Sequence, residues 1–517
     1  MIRPFRPFAI PFVIDRRRTC AAALPLLLAA PALAAPDATA TREKMRRFHL
    51  DPASEMNAPI AKTPAAEATS PLAGERDPIR AKAALRRSFL EIEGRGPIGT
   101  SDRAENLVDN GTALIRTPEE MERQGLTQAR LAESPWSDDY WPIYKGILGA
   151  RYADSKFPGS ENWQENLNFV QAPSNLAATL LAAPLSTASK SRLNTLSPAE
   201  KYDLLLGDAE FPLTRSMWNE GRRYFDSSGK VETWMGICHG WAPAAYMVAR
   251  PTRTVTLPLP APNEGRSVTL YPSDLKGLAS LLWATGSFEQ KFIGGRCDIK
   301  DPKKDETTGR IIDPGCFDTN PGTFHLAVIN QLGISRRSLV VDATYDYEVW
   351  NQPVVGYSYS HFNPVTGVQT ATLKEAMIPI TDYTNDKFTK FRSKKATHVV
   401  GIAFSLEYTV ETEPSQRRTD STTYDRTTTA NYLYDLELDE KGRIVGGEWY
   451  TNLHPDFLWT AVPGSRAFSS ADWAIDGRQW DGKLPLDEDF RAAAKSAADR
   501  GEPLAAIVEA LIRLANP

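Results

Sequence analysis

The run Gly236-Ile237-Cys238-His239-Gly240-Trp241 places a cysteine just ahead of good helix formers, with Pro243 in the first turn and Pro251 closing the run. A helix should therefore begin near Cys238. At a helix N-terminus the macrodipole and free backbone N–H groups favour thiolate over thiol. The same N–H groups suit the oxyanion of a tetrahedral intermediate. An isolated cysteine is more often a buried structural residue, so the nucleophilic reading needs partners.

A thiol nucleophile needs a base, and there are six histidines: His49, His239, His325, His361, His398 and His454. His239 is adjacent to Cys238, but successive helical side chains point about 100° apart, which takes it away from the thiol. His325 lies in Gly322–Asn330, which reads as a strand, and Ser338–Thr344 reads as a second strand. If Gly333-Ile334 forms a two-residue hairpin turn, His325 falls directly opposite Asp342. Asp342 would then hold one imidazole nitrogen while the other faces Cys238. A bulge at Arg336-Arg337 would shift that register.

The other cysteines bear on whether the thiol is free. The first 34 residues read as a signal peptide: Arg16, Arg17 and Arg18, then the apolar run Ala21–Ala30, then Ala32-Leu33-Ala34 as a cleavage site. A secreted or periplasmic protein is expected. Cys20 would leave with that segment, so Cys238, Cys297 and Cys316 remain. Cys297 and Cys316 flank a polar loop that a disulfide could close, worth about 3 kcal/mol in the chain-entropy model. Cys238 is then the odd thiol, kept free in an oxidising compartment.

Elements must bring these residues together. Residues 35–85 are rich in Ala, Pro, Thr, Ser and charge and read as a flexible leader or pro-segment. Residues 86–205 carry helix starts at Thr117-Pro118-Glu119-Glu120 and Ser197-Pro198-Ala199-Glu200. Between them, the aromatic loop Pro135–Pro142 reads as a cleft lining or, more commonly, as a satellite core. Residues 206–470 mix helix and strand; Thr397–Val410 and Ala430–Trp449 alternate with period two, and Asp439–Gly442 is a turn. Ala- and Leu-rich helices fill 471–517. The order predicts an α+β enzyme with a helical N-terminal part and an antiparallel sheet.

Composition narrows the function. A formal net charge of −4, about −8 once the signal's five Arg and one Asp are removed, gives no footprint for nucleic acid or an anionic membrane. Beyond the N-terminus no apolar run is long enough to span a bilayer. Cys-x-x-Cys, His-Glu-x-x-His, P-loop and dinucleotide glycine motifs are absent from the sequence, and no cofactor is expected. Asp298, Asp301, Asp305, Glu306 and Asp313 offer oxygens for calcium but lack a calcium-loop spacing, so a solvated loop is the better reading.

Three blocks carry a family resemblance: Cys238-His239-Gly240-Trp241-Ala242-Pro243, Asn320-Pro321-Gly322-Thr323-Phe324-His325 and His454-Pro455-Asp456-Phe457-Leu458-Trp459. Together they resemble the transglutaminase elicitor family, over about Trp136 to Trp459. The resemblance implies a cysteine-protease-like, transglutaminase-like core with Cys238, His325 and Asp342 as its triad. It implies protein-glutamine γ-glutamyltransferase activity, joining glutamine donors to primary amines such as lysine. Trp241 and Trp234 could wall an apolar, water-poor mouth, although a tryptophan near a helix start is more often core. Two other readings stay open: a cysteine amidase or peptidase acting on cell-wall peptides, and a secreted binding protein without catalysis.

Overall fold

A computed structural model describes residues 33–34, 36–60, 62–64, 102–183, 191–295, 299, 301–313, 316, 319–343 and 349–517. The expected signal peptide lies outside these residues except for residues 33–34. Cys297, and with it the expected Cys297–Cys316 bridge, lies outside them too.

The helix starts read from sequence are present. Thr117 caps Pro118–Arg123, and Ser197 with Glu200 forms a reciprocal capping box on Pro198–Leu206. Residues 38–56, by contrast, are not a loose leader. They form α1 (Ala38–Leu50), capped by Asp37, and the short turn Pro52–Met56. Met45 and Phe48, three apart and therefore on one face, pack with Phe362, Ala403, Leu433 and Tyr450 on the sheet. Two apolar positions in a charged stretch were too weak a stripe to stand out.

The sheet is antiparallel. Six of its strands, β1 (Gln290–Gly294), β2 (Val340–Asp342), β3 (Asn351–Phe362), β4 (His398–Val410), β5 (Arg426–Leu438) and β6 (Phe457–Ala461), lie in the spatial order β5-β4-β3-β2-β6-β1. The long β4–β5 pairing runs from His398–Leu438 to Val410–Arg426. Past the Asp439–Gly442 turn, Ile444–Gly446 folds back on β5, as the period-two pattern predicts.

Two helices set the place of the nucleophile. α2 (Cys238–Met247) lies against α3 (Pro272–Thr285), which is buried along almost its whole length. Their backbones touch at Gly240, where a Cβ would stand 2.2 Å from the Ser280 carbonyl oxygen and 2.5 Å from the Ala284 Cβ. Only glycine permits that approach. α3 is fixed in turn by Asp274, which takes a 2.6 Å hydrogen bond from Lys201 Nζ and a 2.9 Å one from Tyr152.

The strand expected around His325 is a helix. α4 (Pro321–Val328) starts at Asn320, whose side chain accepts from the Gly322 N–H, with Pro321 at the first position. It runs on through a π-helical turn, Ile329–Ile334, so Gly333-Ile334 is not a hairpin. An Asn-Pro start signal overrode the β-like run of Phe, Val and Ile.

Candidate functional site

Cys238 is the first residue of α2, as expected, and is a free thiol with 4% exposure. No side chain caps this helix; the preceding residue, Ile237, donates its N–H to the Tyr140 carbonyl at 2.8 Å. The helix-start N–H field is thus not taken up by a capping oxygen. Cys238 Sγ lies 3.7 Å from the Val349 carbonyl oxygen and 3.6 Å from Asn351 Nδ2. Asn351 is oriented by Trp459, whose indole N–H donates to Asn351 Oδ1 at 2.9 Å. Because indole only donates, it fixes which end of the amide meets the sulfur, and that end is NH₂.

Asp342 closes β2 beside this group. It pairs with Asn351 across the β2–β3 ladder, and its Oδ1 accepts the Trp350 N–H at 3.0 Å. The Trp350 ring lies 5.2 Å from that of Tyr140, so one residue of the aromatic loop flanks the site. Trp136 and Trp141 of the same loop are core, and so are Trp241 and Trp234.

His325 is not at this site. Its Nδ1 meets the Tyr434 hydroxyl at 2.8 Å, and its ring packs on Tyr359, Phe404 and Tyr434. Tyr359 and Asn351 lie on the same strand, eight residues apart, which is about 26 Å at 3.3 Å per residue. The opposed pair expected from sequence is also replaced: Asp342 faces Asn351, because residues 321–334 are helical. Cys238 and Asp342 are brought together; His325 is held at the far end of β3.

The electrostatics follow from burial. Burial pushes the Cys238 thiol up to about 11; the Asn351 N–H groups act against this, and the charges of Glu411 and Asp342 add to it. The resting group is therefore a thiol, although the helix position alone suggests thiolate. Burial likewise pushes Glu411 up to about 7, opposed by the 2.6 Å hydrogen bond from Gln352 Nε2. Burial and the Glu413 and Glu411 charges raise Asp139 to about 7 against the pull of Lys145. His325 is driven down to about 3, by burial and then by His361.

Sequence reasoning missed Asn351 and Trp459, which meet at the thiol, and Glu411, whose charge acts on it. Trp459 lay in one of the family blocks, but the asparagine and the glutamate carry no motif. Asp305, one of the calcium candidates, is engaged by Lys390 and Thr308. Among the described residues no group of three or more His, Cys, Asp or Glu side chains is placed to hold a metal ion.

These buried groups set a pH dependence of stability. His239, His325 and His454 are lowered by burial to about 4, 3 and 3. Their neutral state stabilises the fold above pH 6.5 and that contribution is lost as pH falls through the folded values. Asp139, Asp203, Glu411 and Glu448 are raised to about 7, so their burial costs stability above pH 7 and the cost is relieved down to pH 4. Each group contributes a slope of about 1.4 kcal/mol per pH unit. Between pH 6.5 and 4 the four carboxyls outweigh the three imidazoles by one such slope, and between 4 and 3 only His325 and His454 act. The urea midpoint should rise gently as pH falls to about 4.5 and drop below 4; a midpoint still rising at pH 3.5 would contradict this.

The comparisons with known proteins come to the same region. Residues 111–471, well over half of the chain, match the Transglutaminase elicitor family. Among solved structures, the chain resembles the GP42 transglutaminase from Phytophthora sojae, with 22% identity and a TM-score of 0.47, covering 78% of this chain and 99% of that one. No curated protein matches.

Proposed function

The chain belongs to the transglutaminase elicitor family, and from that premise we propose that it is a cysteine acyltransferase joining glutamine carboxamides to primary amines. The observation that carries this reading is Cys238: a free thiol on an uncapped helix start, facing an amide that Trp459 orients. Cys238 Sγ attacks the glutamine carboxamide carbon and gives its proton to Glu411. The helix-start N–H groups and Asn351 Nδ2 receive the oxyanion. Ammonia leaves with the proton from Glu411, and a γ-glutamyl thioester remains. A lysine amine attacks the thioester, returns its proton through Glu411 to the leaving sulfur, and an isopeptide bond forms.

We assign proton transfer to Glu411, whose charge acts on the Cys238 thiol and which is held by Gln352 next to Asn351, and not to His325 at the far end of β3. A group near 7 both accepts and returns a proton at neutral pH, whereas one near 3 cannot hold it. Asp342 anchors the Trp350 backbone and so positions Asn351 next to it. The 4% exposure of Cys238 supplies the water-poor setting in which amine competes with water. We place the activity outside the cytosol on the sequence signal alone; among the described residues no helix is long and apolar enough to cross a membrane.

The test is incorporation of a labelled primary amine into a glutamine-bearing protein. Incorporation supports transfer. Ammonia or peptide release without incorporation would replace transfer by hydrolysis at the same cysteine.

A further inference from the structure

A groove of about 710 Å³ lies in the C-terminal part of the chain, partly beyond the region that matches the family. Phe288, Val462, Phe468 and Ala506 contribute to its apolar lining. Trp473 stands on its lip, 74% exposed and edge-on to Phe468 at 5.6 Å. An exposed tryptophan beside an apolar groove is the composition of an interface centre, not of a solvated surface.

The charges around the groove select its occupant. Arg466 is paired with Glu509, and Arg478 with Asp487 and Asp489. Asp472 is engaged by the Ser469, Ala505 and Ala506 N–H groups. Glu289 has no ion-pair partner among the described residues and opens onto the same groove. The uncompensated charge is negative, next to an exposed indole that also favours cations.

The groove is joined to the thiol site by a shared wall. The Phe288 ring stacks on Trp459 at 6.3 Å, and Trp459 holds Asn351, which faces Cys238. We propose that this groove docks a polypeptide substrate through an apolar side chain next to a lysine or arginine, with Trp473 and Glu289 as its main contacts. The choice of a substrate as occupant rests on the acyl-transfer reading; the binding itself does not.

Binding is therefore measured first in the full chain carrying Cys238→Ala, by anisotropy of a fluorescein-labelled dodecapeptide alternating Leu or Phe with Lys. Trp473→Ala and Glu289→Lys, both at exposed positions, should each weaken it at least about tenfold. A Glu-for-Lys peptide should bind at least about tenfold more weakly. Unchanged binding in Trp473→Ala, or equal binding of the acidic peptide, would overturn the proposal. With Cys238 present, the same two changes should raise KM for a protein acceptor and leave kcat for a small amine unchanged. An equal fall in kcat for the small amine would overturn the docking role. Failure of amine transfer in every variant would count against the acyl-transfer reading and leave the anisotropy result standing.

Discussion

Replacing Cys238 with alanine should abolish amine incorporation, by at least about 10⁴-fold, because it removes the sulfur that forms the acyl-enzyme. The change removes one sulfur whose contacts are long, 3.6 and 3.7 Å. Its cost in stability should be about 1 kcal/mol, so loss of activity would come with a retained fold. Asn351, Trp459 and the helix start would all remain. A thermal transition close to that of the unchanged protein, together with absent incorporation, is the expected pair of observations. Residual activity above about 1% in a folded Cys238→Ala protein would move the chemistry to another residue.

The second large effect concerns the proton. Glu411→Gln keeps the shape of the side chain and removes its ability to accept a proton. It should lower kcat by about 10²–10³-fold. In the unchanged protein kcat/KM should rise with pH through about 7, as Glu411 ionises. In Glu411→Gln that limb should vanish. His325→Gln supplies the contrast: it disturbs the contact with Tyr434, so the cost should fall on stability and leave the rate within about threefold. A folded His325→Gln protein that is inactive, beside an active Glu411→Gln, would mean that the proton does not pass through Glu411.

These assignments show what the sequence exposes and what it hides. The helix start at Cys238 is legible because Pro243, Pro251 and the intervening formers are local signals. So are the Ser197 capping box and the alternation along β4 and β5. His325 is misread as a strand residue because its neighbours are aromatic and β-branched, and the Asn320-Pro321 cap that decides the matter is a short signal beside them. The hairpin pairing with Asp342 then fails as a consequence. Asn351 is hidden for another reason. Its role depends on a hydrogen bond from Trp459, 108 residues away, and on a thiol 113 residues before it. The packing of α1 on the sheet is also tertiary, since Phe48 finds its partners some 340 residues or more along the chain at Phe388 and Tyr450.

Intact-protein mass spectrometry after mixing with a glutamine peptide, with no amine present, tests the central claim most directly. A covalent adduct of peptide minus ammonia, cleaved by hydroxylamine, mapped to Cys238 and absent from Cys238→Ala, is the expected result. An adduct on any other residue, or ammonia release that persists in Cys238→Ala, would contradict it.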